Sequence, residues 1–195
     1  MIKYFLIVDV EATCDTVNVR ENMEIIELGC VLCDENGDVV DEFDTFVKPI
    51  VNTKLTDFCK ELTHITQEDV DNAPYFKSAM LQMLAWIGDR KPYIFCSWGA
   101  YDLHQIMQDC ARHGIAYPLG DRHINLKNVY AKIKGLKRHG IANTIKNLGW
   151  EWIGKLHRGR DDARNMARVL KLIAKDIQKN ETTGMLHDIL REGIF

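Results

Sequence analysis

Residues Tyr4 to Val8 form an unbroken apolar run, and two acids, Asp9 and Glu11, follow at alternate positions. Such a run reads as a strand buried on both faces. Side chains two apart on a strand share a face. Asp9 and Glu11 therefore project side by side from the end of a buried strand. Paired carboxylates repel unless a cation lies between them, and oxygen donors of this kind suit Mg²⁺ or Mn²⁺. A strand emerging into solvent would also account for two wetted acids. The remaining chain must supply further ligands if a metal site exists.

At 195 residues one domain is the default. A hydrophobic content of 46% and a charged content of 27% are those of a soluble globular protein. No apolar run reaches the length of a membrane span, and Asp9 and Lys3 do not fit a signal peptide. The expectation is a cytoplasmic protein with no membrane association. The cysteines, Cys14, Cys30, Cys33, Cys59, Cys96 and Cys110, lie mostly in apolar runs, as free buried thiols do. Cys30 and Cys33 form a lone CxxC in a strand-like segment. Residues three apart on a strand face opposite ways, so zinc is not expected there.

The net charge of −3 argues against wrapping duplex nucleic acid, but its distribution is uneven. Residues 1–126 carry 10 Lys/Arg against 21 Asp/Glu, whereas 127–168 carry 11 against 3. A basic surface beside an acidic body could grip a single strand or a strand end. A solvated helix face would give the same count.

Strands are predicted at Tyr4–Val10, Ile25–Cys33 and Val39–Val47, the last two joined through Asn36-Gly37, a hairpin signal. These three form an antiparallel meander. Short helices are expected around Asp57–Leu62 and Gln67–Asp71, where Thr66 and Asp69 have capping-box spacing. A helical stripe runs from Tyr75 to Ile87, a short strand spans Tyr93–Cys96, and a helix carries Leu103, Ile106, Met107 and Cys110 inward. A last short strand is expected at Ile124–Leu126, then helices at Lys127–Ile133, Ile141–Leu148 and one long helix over Arg160–Lys179. Strands followed by strand–helix alternation give one α/β domain with a mixed sheet, residues 1–180, and a tail over 181–195.

Two further acids stand at element ends. Asp102 lies in the first turn of its helix, after Ser97-Trp98-Gly99, and borders the buried stripe through Ile106. A dipole-favoured N-terminal acid is the alternative. In His157-Arg158-Gly159-Arg160-Asp161-Asp162, Asp162 shares its face with Met166, Val169 and Ile173. Asp161 shares its face with Asn165 and Arg168. Asp162 is thus the inward acid and Asp161 a cap or surface acid. His157 lies in the preceding loop, close enough to act beside Asp162, although a histidine taken alone is more often a surface residue than a catalyst.

Asp9-x-Glu11, a mid-chain Asp102 after a Gly-containing turn, and His157 five residues before Asp162 resemble the DEDDh 3′→5′ exonucleases. Within that superfamily the chain is most similar to the Eri-type exoribonucleases. The matching motifs are Asp9-Val-Glu-Ala-Thr-Cys14, Phe58-Cys-Lys-Glu-Leu-Thr-His-Ile-Thr-Gln67, Ser97-Trp-Gly-Ala-Tyr-Asp102 and Asp161-Asp-Ala-Arg-Asn165. The likeness covers about residues 4–178. It implies a ribonuclease H-like five-stranded mixed sheet flanked by helices. It also implies two Mg²⁺ or Mn²⁺ ions held by Asp9, Glu11, Asp102 and Asp162. Asp9 would bridge both ions, Glu11 and Asp162 would hold the one beside the attacking water, and His157 would be the general base.

The implied activity is removal of nucleoside 5′-monophosphates from an RNA 3′ end. Single-stranded DNA is the alternative substrate, and a non-catalytic nucleic-acid-binding regulator the third reading. The resemblance also gives Ala12 and Thr13 backbone contacts to the terminal sugar and Ile65 the role of a wedge on the terminal base, with Tyr101 lining the same pocket. Core packing is the alternative for Ile65 and Tyr101. Arg158, with Arg160 and Arg164, would contact upstream phosphates. One departure stands out: this group usually has Leu-Thr-Gly-Ile where this chain has Leu62-Thr63-His64-Ile65.

Overall fold

The structure, a computed structural model, describes residues 2–17 and 20–182. Five strands form one mixed sheet: β1 (Tyr4–Ala12), β2 (Ile25–Asp34), β3 (Val39–Phe46), β4 (Tyr93–Ser97) and β5 (His123–Asn125), in the order β3-β2-β1-β4-β5. β1, β2 and β3 are the expected antiparallel meander. β4 runs parallel to β1, and β5 parallel to β4. Helices α1 (Asp57–Thr63), α2 (Gln67–Asp71) and α3 (Phe76–Ile87) separate β3 from β4, and α4 (Tyr101–Arg112) separates β4 from β5. After β5 come α5 (Leu126–Lys134), α6 (Ile141–Asn147), α7 (Gly159–Lys171) and α8 (Ala174–Thr182). The tail expected from 181 onward lies almost wholly outside the described residues.

Local chemistry sets these boundaries. The β2–β3 turn closes on the Asp34 carboxylate, which accepts the N–H of Asn36 and of Asp38, each at 2.9 Å, with Gly37 at φ 80°. Thr66 and Asp69 form the reciprocal capping box that starts α2. The single long helix expected at the C-terminal end is instead two, α7 and α8, parted by a turn at Leu172 and Ile173. Gly37 at the hairpin tip packs there against Lys171 and Ala174. The apolar stripe continues through the break, because Ile173, Ala174 and Ile177 are all buried, so periodicity alone does not reveal the turn.

The strand β1 divides the core in two. Phe5 and Ile7 pack with Val31, Cys33, Ala163, Met166 and Leu170 on the α7 face. Leu6, Val8 and Val10 pack with Leu28, Cys30, Phe76, Met80 and Ile106 on the other. Cys30 and Cys33 accordingly fall on opposite faces, and all six cysteines are free. By the same alternation Asp9 and Glu11 continue the face that carries Phe5 and Ile7. That is the face α7 covers.

Candidate active site

The N-terminus of α7 reaches β1 and β2 by backbone contact. Gly29 pairs with Asp9 across the sheet, and a Cβ on Gly29 would lie 2.0 Å from the carbonyl carbon of Gly159. A Cβ on Gly159 would lie 2.9 Å from the Asp9 carbonyl oxygen. Two glycines thus let a helix end rest directly on the strand that carries the acids. Three residues further along α7, Asp162 comes over Glu11. Donor atoms of Glu11, His157 and Asp162 all lie within 4.8 Å of one another. Asp102 joins from the opposite side, where its Oδ1 accepts the Val10 N–H at 3.1 Å between the two β1 acids.

Asp161 and Asp162 have separate roles. The Asp162 carboxylate accepts backbone N–H from His157 and Arg158, while its Oδ1 is buried with no hydrogen-bond partner. An orphaned buried carboxylate oxygen beside two other ligating groups is what a cation site leaves when described without its cation. Asp161 instead accepts from the Lys155 N–H at 2.9 Å and pairs with Arg164 at 3.0 Å.

Glu27, which sequence reasoning passed over, fixes the loop before α7. It faces Glu11 in the β1–β2 register and is buried. It accepts from Gly159 N at 3.0 Å, and from Arg158 at 3.2 Å through Nε and 3.1 Å through Nη2. His157, immediately before this clamp, is held at φ 60°, a left-handed conformation that costs energy for any residue but glycine. A lone acid in the run Ile25-Ile26-Glu27-Leu28 was the available signal, because a carboxylate in a buried strand needs a partner.

The electrostatics fit a cation site. Burial first, then the charges of Asp102, Glu11 and Asp162, holds Asp9 well above the usual carboxylate range. Glu11 is pushed up to about 9 by burial and by Asp162 and Glu27. Asp162 rises to about 7, chiefly by burial. Asp102 rises to about 6, also by burial, against the lowering hydrogen bond from Val10 and the charge of Lys127. Four buried carboxylates with raised pKa, two of them raised further by the others' charge, are relieved by bound positive charge. His157 is shifted the other way: burial, then the nearby His64, lowers its pKa and keeps the imidazole neutral at neutral pH.

Comparison with known proteins gives this geometry a lineage. The profile of the RNase T family, described as exonuclease, matches residues 6–170. The chain belongs to the RNase T exonuclease family. It is 32% identical over 184 residues to 3′-5′ exoribonuclease 1 of Homo sapiens, covering 89% of this chain and 53% of that protein. It is 28% identical over 206 residues to the 3′-5′ exonuclease eri1 of Schizosaccharomyces pombe, covering 90% of this chain and 69% of that one. The chain spans about half the length of most of the curated relatives it matches. Among solved structures, the nuclease domain of 3′hExo, a DEDDh family member bound to rAMP, superposes with a TM-score of 0.83 at 31% identity. That match covers 90% of this chain and 93% of that one.

In this member of the family the remaining expected contacts are distributed unevenly. Tyr101 is 39% exposed and close enough to Asp102 and Glu11 for their charges to add to burial in raising its pKa. Ile65 is different: it is fully buried with Ile26, Leu55, Cys59 and Val70. A side chain without surface cannot wedge against a base, so core packing is the reading its geometry supports. On α1, Phe58 (38% exposed) and Leu62 (36%) share a face and present the apolar surface that Ile65 lacks. α1 is fastened beside the end of β1, where Cys59 Sγ donates to Ala12 O at 3.8 Å and Thr56 Oγ1 to Cys14 O at 2.7 Å.

Two further sets of expected contact groups already have partners within the fold. Thr13 already uses its N–H and its hydroxyl in the fold: the N–H donates to Glu24 O, and the hydroxyl oxygen accepts Glu24 N–H at 3.0 Å. The three arginines expected on phosphates each pair with a sheet acid. Arg158 binds Glu27 and lies over the Phe46 ring, Arg160 binds Asp44 at 2.6 Å, and Arg164 binds Glu42. The positive charge of α7 straps the helix to the acidic face of β2 and β3.

Proposed function

We propose that this chain is a two-metal-ion 3′→5′ exoribonuclease that releases nucleoside 5′-monophosphates from the 3′ end of single-stranded RNA. The observation that carries the reading is the approach of Glu11, His157 and Asp162 to within 4.8 Å of one another, with Asp102 hydrogen-bonded to β1 between Asp9 and Glu11 and the Asp9 carboxylate raised in pKa by the charges of the same acids. Its relatives named as 3′-5′ exoribonucleases support the reaction class. The four carboxylates are the holders of the ions, with Mg²⁺ or Mn²⁺ suited to an all-oxygen set. Such cations supply an activated water and stabilise charge on the departing 3′ oxygen.

The chain's own groups do the rest. His157, neutral and wedged between Glu11 and Asp162, takes the proton of the attacking water as the new P–O bond forms. The Glu27 clamp keeps that imidazole in place. Phe58, Leu62 and Tyr101 offer the apolar surface on which a terminal nucleotide can lie. Ala12, at the mouth of β1, stands beside the sugar of that nucleotide.

The test uses matched 12-nucleotide RNA and DNA strands labelled at the 5′ end, with Mg²⁺ present. The RNA shortens one nucleotide at a time from its 3′ end and yields 5′-monophosphates. If DNA alone shortens, or products carry 3′-phosphates, the proposal is wrong.

A further inference from the structure

The stretch from His123 to Trp150 contains six Lys or Arg and no acid. Within it, Gly135 to Gly140 forms the α5–α6 loop, and every residue of the loop is exposed. Unlike Arg158, Arg160 and Arg164, the loop's Lys137 and Arg138 have no acidic partner among the described residues. The loop is nonetheless fixed in place. Trp98 Nε1 donates to the His139 carbonyl at 2.9 Å, and its ring packs on Tyr130 of α5. Trp98 is the residue before the Gly99 turn that delivers Tyr101 and Asp102. Lys127 stands at that turn: its Nζ lies 3.6 Å from where a Cβ on Gly99 would be. Positive charge therefore runs from Lys127, beside Asp102, outward to Lys137 and Arg138 on a loop anchored to the same turn.

Resting on the reading above, we infer that Lys137 and Arg138, aligned with Lys127 by the Trp98 tether, bind the phosphates of the RNA strand upstream of the scissile bond. Phosphodiester oxygens are the complementary chemistry for exposed cations on a fixed path, and no base contact is required. The loop sets how tightly a strand longer than the terminal nucleotides is held. It takes no part in the bond-breaking step.

The experiment measures binding of a 5′-fluorescein 12-nucleotide RNA to the full chain in EDTA, across a salt series. The proteins are wild type, Lys137→Ala/Arg138→Ala, and a charge-matched control, Lys77→Ala/Lys175→Ala, with both lysines exposed on other elements. Two lost phosphate contacts reduce the slope of log affinity against log salt by about 1.4, and weaken binding on the order of tenfold at low salt. The control keeps the wild-type slope. With Mg²⁺, the loop variant's kcat/KM falls on the 12-mer through KM, and by less than about twofold on a dinucleotide. An unchanged slope, an equal loss in the control, equal losses on both lengths, or no binding by wild type each overturns the inference. A wild type that binds through the loop yet hydrolyses neither length overturns the exoribonuclease reading and leaves the loop assignment standing.

Discussion

At the scale of single residues, the site turns on adjacent acids with opposite tasks. On the proposed roles, Asp162→Ala removes an ion-holding carboxylate beside Glu11, and His157→Ala removes the proposed base, for which a loss of about 10²–10⁴-fold in kcat is expected. Asp161→Ala breaks only the Lys155 and Arg164 contacts and retains most activity. Comparable losses in Asp161→Ala and Asp162→Ala under single-turnover conditions would show that the assignment is mistaken. The raised carboxylates make a second prediction. Glu11, Asp162 and Asp102 titrate at about 9, about 7 and about 6 in the fold, against about 4 in an unfolded chain. Between those values the folded chain holds protons that the unfolded chain has released. The cation-free fold therefore loses stability as pH rises from about 4 toward 9. Mg²⁺ binds the charged forms and expels those protons. The rise in Tm on adding Mg²⁺ is therefore larger at pH 8 than at pH 6, and thermal melts showing the reverse order would contradict the charge scheme. Sequence reasoning could reach Asp162 because helical spacing puts it on the Met166–Ile173 face. It could not separate wedge from core for Ile65, because the motif Thr63-His64-Ile65 is silent on which side of α1 meets solvent. The structure also accounts for the glycine that the family usually has where this chain has His64. His64 sits at φ 60°, ψ 19°, where glycine is the least strained residue.

At the scale of elements, catalytic geometry depends on how α7 lands on the sheet. Gly159→Ala places a methyl group against the Asp9 carbonyl and lifts the helix end. About 1–3 kcal/mol of stability is lost, and a displacement near 1 Å costs about 10²-fold in activity. Arg158→Ala leaves the Glu27 carboxylate buried without its counter-charge, a loss of about 3–5 kcal/mol. Chemical denaturation with kinetics at saturating Mg²⁺ reads both. A Gly159→Ala enzyme with wild-type kcat would remove the close approach from the account. The hairpin at Asn36-Gly37, the capping box at Thr66 and the two-faced β1 were legible from short-range pattern, because each is decided by neighbours in sequence. The Gly29–Gly159 contact was not, since it joins positions 130 residues apart that carry no side chains to compare. The α7–α8 break escaped as well: the apolar stripe runs through it, and the hairpin tip at Gly37 that packs beside it is distant in sequence.

At the scale of the whole molecule, the division into an acidic first part and a basic segment is in part an internal contact. Glu27, Glu42 and Asp44 take up Arg158, Arg164 and Arg160, so three of the basic segment's charges dock α7 on the sheet. The α5–α6 loop, with Lys137 and Arg138, remains exposed. Topology then does what no local motif can: it brings the first turn of α4 and the first turn of α7 to the C-terminal end of the central strand β1. The direct test is anomalous diffraction from crystals soaked in Mn²⁺ with a nucleoside 5′-monophosphate. Two manganese peaks ligated by Asp9, Glu11, Asp102 and Asp162, with the nucleotide phosphate against them, are predicted. Manganese bound elsewhere, with these four carboxylates left without metal, would contradict it.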